Sequence, residues 1–264
     1  MTYSSLLAQS EFLRGCVNAG VRLAPILAKR GQEMFVQHSR GAGGDISIGA
    51  DLLCEGEFGK ELLAIGSIDS EESGFIKCSG KSSDIIVLDP LDGSDNYKSN
   101  IPYYGASLAL CDENGAVKEA CIINFCSGDV FYDSLKRGKS ASPTKLNFFR
   151  DEILCQNLAS EDSSQPPKCG IFERAYCNPS IVARLHTHHI KFRSLGAGAL
   201  SWVYALEARF LLLGGKSRRY DAMAGQFLAR DLHTKEIVDK NGSFFLLVSK
   251  YKEVFDIVSN AILE

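Results

Sequence analysis

Apolar residues recur at helical spacing in the first thirty positions. Leu6, Leu13, Val17, Val21 and Ala24 stand three, four or seven apart, which predicts an amphipathic helix that Pro25 kinks or ends. The polar stretch SRGAGGDISIGAD then predicts a loop, and Leu52, Leu53, Phe58, Leu62 and Leu63 predict a second helix. SIDSEESG reads as a turn, and DIIVLD at 84–89 as a buried strand. YYGASLALC, AVKEACIINF and DVFYDSLK read as successive strands, with DENG and CSGD as the turns between them.

Strand and helix patterns alternate downstream. KFRSLG, FLLLGG and FFLLVSK predict strands; GALSWVYALEAR, YDAMAGQFLARDLH and YKEVFDIVSNAIL predict helices. SEDSSQPPKCG at 160–170 predicts a surface loop between two subdomains. The pattern implies an α/β (α+β) fold, with helices over a mostly antiparallel sheet in the first half and layered α/β structure in the second. We expect one domain, 1–264, with subdomains of about 1–140 and about 141–264.

The composition, 45% apolar and 23% charged over 264 residues, fits a globular chain with a substantial core. A net charge of −3 gives no bulk attraction for nucleic acid or an anionic membrane. An anionic substrate therefore needs positive charge supplied locally, by Lys, Arg or metal. Nine cysteines without CxxC spacing argue for reduced, mostly buried thiols in a cytoplasmic protein rather than a disulfide scaffold. His186, His188 and His189 have no cysteines paired with them, so we expect a solvated loop or helix end, not a zinc site. The first residues do not read as a signal peptide, and no stretch approaches 18 apolar residues.

The sharpest chemical signal is DPLDGSDNY at 89–97, directly after the DIIVLD strand. Pro90 biases Asp89 towards extended geometry, and Gly93 permits a tight turn. Such a turn can bring Asp89 and Asp92 towards one point. Carboxylates that close raise each other's pKa, and a divalent cation with a preference for hard oxygen ligands, such as Mg²⁺, resolves the repulsion. The amides of Gly93 and Ser94, opening a short helix, would face an anion. Asp, Pro, Gly, Ser and Asn are also ordinary turn residues, so a plain polar turn is the competing reading. SEES at 70–73 reads equally as a solvated loop, and Asp221 in YDAMAG as an N-terminal helix residue.

Together these segments resemble the inositol monophosphatase-like phosphatases. LDPLDGSDNYKSNIPYYGASLAL is similar to the family signature DP(I/L)DG(T/S)xN followed by an aromatic. SEES, YDAMAG and GAGGDISIGAD resemble the family's glutamate motif, its (W)DxAAG motif and its loop with a final aspartate. The order and spacing hold over roughly residues 5–245, and several motifs in order are more specific than one. The loop and GGKSRRYDAMAG look most like the archaeal-type subgroup acting on both inositol monophosphate and fructose 1,6-bisphosphate.

The resemblance implies a layered αβαβα sandwich, a homodimer, and Mg²⁺ dependence with two or three ions. Mn²⁺ would be a substitute and Li⁺ an inhibitor. Glu71, Asp89 and the carbonyl of Leu91 resemble the ligands of the first metal; Asp89, Asp92 and Asp221 resemble those of the second. A third would lean on Glu71. Asp51 and Ser94, with Glu71, sit where the family activates the attacking water, and the Gly93 and Ser94 amides where it holds the phosphate. For the substrate, a small phosphate ester, Arg193, Gly196, Lys216, Arg218 and Arg219 are candidates, with surface charge the plainer account of at least two of the arginines and lysine. Tyr220 stands where many members have tryptophan, Gly214 where animal members have a glutamate that contacts inositol, and ARDLHTKEIVDKNG replaces an acidic-Gly-Gly segment. These departures weaken the inositol assignment. They leave 3′(2′),5′-bisphosphate nucleotidase and a catalytically silent phosphate-binding regulator as alternatives.

Overall fold

The computed structural model describes residues 2–138, 142–156, 158 and 167–264. The chain opens with α1 (Tyr3–Gln9) and α2 (Glu11–Lys29), then β1 (Gln37–Arg40), β2 (Ile46–Ile48) and α3 (Gly49–Leu62). Next come β3 (Ser67–Ser70), β4 (Gly74–Ile76), β5 (Ile85–Asp92), α4 (Ser94–Lys98), β6 (Gly105–Cys111), β7 (Val117–Asn124) and β8 (Asp129–Ser134). They are followed by β9 (Thr144–Asn147), β10 (Glu152–Cys155), β11 (Cys169–Glu173), α5 (Pro179–Thr187), β12 (Lys191–Arg193) and α6 (Gly198–Tyr204). The chain closes with β13 (Leu211–Gly214), α7 (Arg219–Leu228), β14 (His233–Val238), β15 (Phe244–Ser249) and α8 (Lys252–Leu263).

These elements stack in five layers. Helices α1, α2 and α3 cover one face of an eight-stranded sheet of order β10-β9-β8-β7-β6-β5-β3-β4. Its other face packs on α6 and α7, and α6 also touches a five-stranded sheet of order β12-β11-β13-β15-β14. Helices α5 and α8 close the far side. Three apolar cores fill the spaces between layers, around Leu13, Phe58 and Ile123, around Leu200, Trp202 and Leu211, and around Phe172, Phe245 and Val258. Because the larger sheet is covered on both faces, all seven residues of β6 are buried. This is why its strands read as apolar runs rather than alternating patterns. The α/β sandwich expected from the sequence is the fold observed.

Local expectations differ in several places. The stretch 39–51 predicted as a loop takes in the end of β1, all of β2 and the first turn of α3, leaving only 41–45 as loop. The predicted first helix is two helices, because Ser10 leaves the helical conformation; its Oγ accepts from the Leu13 amide at 2.9 Å and donates to Glu119 at 2.6 Å. That side-chain cap starts α2 afresh. Pro25 does not end α2, which runs on to Lys29. Pro25 is on the exposed face, where solvent can satisfy the carbonyl that loses its partner. SIDSEESG is a turn only from Glu71 to Ser73. Ser67–Ser70 form strand β3, parallel to β5 with Ser67 opposite Ile85 and Ser70 opposite Leu88. Its hydroxyls are tolerated inside because they accept hydrogen bonds, Ser67 from Cys78 and Ser70 from Glu72.

Of the predicted loop at 160–170, residues 160–166 lie outside those described, and Cys169 and Gly170 open β11. The HTKEIV part of the unusual C-terminal segment is β14, paired antiparallel to β15. His186, His188 and His189 lie exposed at the end of α5, as expected of a solvated helix end. All nine cysteines are free, but only four are buried and Cys177 is exposed. Among the described residues no helix is long and apolar enough to cross a membrane.

Candidate active site

Strand β5 builds the centre of the site. Asp89 and Asp92 are three residues apart, so in a regular strand they would point to opposite faces. The pairing with β6 shifts between them: Asp89 lies opposite Ser107 and Asp92 opposite Gly105. Three steps on β5 against two on β6 make a bulge at Pro90–Leu91, where proline has no N–H to donate. The bulge turns both carboxylates into one acidic cavity of about 60 Å³ that Leu91 also lines. Gly93 follows with φ +83°, and a Cβ there would meet Ala197 Cβ at 2.9 Å and the Tyr103 carbonyl at 3.0 Å. Only glycine makes this turn into α4 without strain. Asp95, in the first turn of α4, does not line the acidic cavity and pairs with Lys98 at 2.6 Å.

Two further elements deliver carboxylates to the same point. Glu71 follows β3, and its amide donates to the Leu88 carbonyl of β5 at 2.9 Å. Asp221 is in the first turn of α7, and three contacts dock that end of the helix. Ser107 of β6 donates to the Tyr220 carbonyl at 3.0 Å, the Tyr220 hydroxyl donates to Asp69 of β3 at 3.3 Å, and Arg219 forms an ion pair with Asp69. The result is a buried trio: Glu71, Asp89 and Asp221 each place an oxygen within 4.8 Å of the others.

The electrostatics follow from that crowding. Burial, then repulsion from Glu71 and Asp92, raises the Asp89 carboxyl well above the usual range. Asp92 is pushed up to about 8, by burial first and then by Asp221, although its Oδ2 accepts from the Leu200 amide at 2.9 Å. Burial raises Glu71 to about 7 against the opposing pull of Arg218. Asp51, in the first turn of α3, rises to about 7 through burial, with Oδ2 held by the Ile48 amide at 2.6 Å. Buried oxygens that repel one another and resist ionisation are a donor set suited to a hard divalent cation such as Mg²⁺. The residues present fit that ion.

The loop of residues 41–45 lies over this trio. Ala42 and Gly43 donate backbone hydrogen bonds to the Glu72 and Glu71 carbonyls at 2.9 and 2.7 Å. A Cβ on Gly43 would stand 2.4 Å from Glu71 Cγ, so the glycine is what lets the loop close onto the glutamate. Asp51 and Ser94 also line the acidic cavity. A wider cavity of about 270 Å³ adjoins it, sharing Asp92, Gly93, Ser94 and Arg218 and adding Gly196, Arg174 and Tyr176.

Of the residues singled out in the sequence, Asp51, Glu71, Asp89, Leu91, Asp92, Gly93, Ser94, Gly196, Arg218 and Asp221 line one or both cavities. Arg193 and Lys216 line neither. Arg193 donates to the carbonyl of its neighbour Phe192 at 2.8 Å, and the Lys216 ammonium lies 5.9 Å from the Phe244 ring centre. Arg219 is committed to Asp69. Gly214 has a local cause, since a Cβ there would meet Asn178 Nδ2 at 2.5 Å. The sequence reading passed over Asp45, Arg174, Tyr176 and Glu173. The buried Glu173 carboxylate accepts from the Gly196 amide at 2.9 Å and from the Ser201 hydroxyl at 2.5 Å, which fixes the loop before α6. Its signal was present: GIFE ends an apolar run in a charge, as DIIVLD does.

Five alternating layers with an acidic cavity at the bulged end of a central strand define a phosphatase-type α/β sandwich. The chain belongs to the inositol monophosphatase family, whose model matches residues 22–235. The Nus factor SuhB of Escherichia coli K12 is 27% identical over 169 residues, 62% of this chain and 60% of that protein. The chain thus spans less than two thirds of that relative. A fructose-1,6-bisphosphatase/inositol-1-monophosphatase of Methanothermobacter thermautotrophicus is 34% identical over 96 residues, 31% of this chain and 34% of that protein. The solved structure of a Thermotoga maritima IMPase shares the fold with a TM-score of 0.70 at 17% identity, covering 96% of this chain and 98% of the other.

Proposed function

We propose that the protein is a Mg²⁺-dependent phosphomonoesterase acting on a small phosphorylated polyol or sugar, inositol monophosphate and/or fructose 1,6-bisphosphate. The observation that carries the reading is the buried trio Glu71, Asp89 and Asp221, with Asp92 beside it, in a cavity shared with Asp51 and Ser94. Glu71, Asp89 and the Leu91 carbonyl would hold one ion, and Asp89, Asp92 and Asp221 a second. The ions would supply an activated water and neutralise charge on the leaving oxygen. Asp51 and Ser94, which line the same cavity, would orient that water, and Asp51 would take its proton. The Gly93 and Ser94 amides hold the phosphate. The wider cavity takes the rest of the substrate, and Arg174 supplies positive charge at its wall. The free thiols fit the reducing cytoplasm, and the family resemblance supports a homodimer.

The relative named fructose-1,6-bisphosphatase/inositol-1-monophosphatase supports the sugar or polyol substrate. Relatives named Nus factor SuhB support a second reading, a regulator on the same fold. The complete set of Asp51, Glu71, Asp89, Asp92 and Asp221 favours activity. Phosphate release from inositol 1-phosphate, fructose 1,6-bisphosphate and 3′-phosphoadenosine 5′-phosphate tests the substrate class. Preference for either of the first two supports it, and turnover of the nucleotide alone contradicts it.

A further inference from the structure

Arg218 precedes α7 with extended backbone, three residues before Asp221. Its side chain lines both cavities, but the guanidinium is held by carboxylates rather than free to bind phosphate. Nη1 lies 2.5 Å from Glu71 Oε1, and Nε lies 3.2 Å from Asp221 Oδ2. Nη1 also lies 2.7 Å from Asp45 on the loop over the site. One side chain thus touches two of the three carboxylates that approach within 4.8 Å of one another.

We propose that Arg218 is a built-in counter-ion, neutralising the acidic trio when no divalent metal is bound, and that it must give up Glu71 and Asp221 for metal to enter. The inference rests on the metal-dependent reading above. Guanidinium cannot shed its charge, so it competes for those carboxylates over the whole working pH range. Leaving buried carboxylates unpaired is costly, and a tethered cation lowers that cost in the metal-free protein. Every metal-binding event then includes the work of displacing it. Asp45 is mostly exposed on its loop and offers the displaced guanidinium a partner without further unfolding.

The test is isothermal titration of Mg²⁺ into metal-free wild type, Arg218→Gln and Arg218→Lys, with melting curves of each in EDTA. Arg218→Gln is expected to bind Mg²⁺ about tenfold more tightly than wild type. Its metal-free form is expected to melt lower, and Mg²⁺ to raise its melting temperature more. Arg218→Lys keeps a compact charge that can hold one carboxylate, so it should fall between them. It also serves as the test if Arg218→Gln does not fold without metal. Equal or weaker Mg²⁺ binding by the variants overturns the proposal, and weaker binding would make Arg218 a residue that orients Glu71 for the ion. Absence of binding by wild type and both variants would instead overturn the metal-dependent reading beneath it.

Discussion

The Leu200 amide at the start of α6 donates to Asp92 Oδ2 at 2.9 Å, joining the bulged end of β5 to a helix 108 residues further along the chain. One carboxylate oxygen is thereby held by the fold while the carboxylate also lines the acidic cavity. Asp92→Asn keeps an oxygen that can accept from Leu200 but removes a charge. It should therefore fold, with unchanged circular dichroism, and lose at least about 100-fold in phosphate release. A variant that fails to fold would give Asp92 a structural role instead.

The raised carboxyls set a pH dependence for the metal-free protein. Asp51 and Glu71 stand at about 7 and Asp92 at about 8 in the folded chain. In an unfolded chain such groups titrate near about 4. Between those limits the folded state holds protons that the unfolded state has released, so stability falls as pH rises. The contribution is complete below about pH 4 and lost by about pH 8. In EDTA the melting temperature should drop across that window. Mg²⁺ should restore it, with a larger shift at about pH 8 than at about pH 6. A flat profile in EDTA would contradict the crowding.

Gly93→Ala tests the turn after the bulge. The added Cβ meets Ala197 and Tyr103 at a φ of +83°. The substitution should destabilise by about 1–3 kcal/mol in denaturant unfolding and lower turnover by moving Ser94.

Glu173 positions the loop at 195–196 without lining the acidic cavity. Glu173→Ala leaves two amides and the Ser201 hydroxyl without their acceptor, which should cost about 1–3 kcal/mol. It should raise KM more than it lowers kcat, since Gly196 borders the wider cavity. Glu173→Gln, which keeps an acceptor oxygen, should recover much of both.

The sequence made the layers legible because β5, β6 and β7 are apolar runs covered on both faces, and it made Asp89, Asp92 and Gly93 legible because acids and glycine interrupt such a run. The short polar strand β3 was not legible: Ser67 and Ser70 read as a turn, and it is the pairing with β5, with amides donating to both hydroxyls, that makes a strand there. The split at Ser10 was equally hidden, since it depends on a contact with Glu119, 109 residues away. Arg218 could be read as a phosphate-binding cation because sequence shows charge but not which carboxylates fold beside it. Asp69, which docks α7 through Arg219 and Tyr220, has no local signature at all.

We propose that Glu71, Asp89, Asp92 and Asp221 bind metal for phosphate ester hydrolysis. The most direct measurement is phosphate release from inositol 1-phosphate and fructose 1,6-bisphosphate, with Mg²⁺ and with EDTA. We predict release of phosphate with Mg²⁺, abolished by EDTA and restored by added Mg²⁺. Equal release under both conditions, or none from either substrate with Mg²⁺ present, would contradict it.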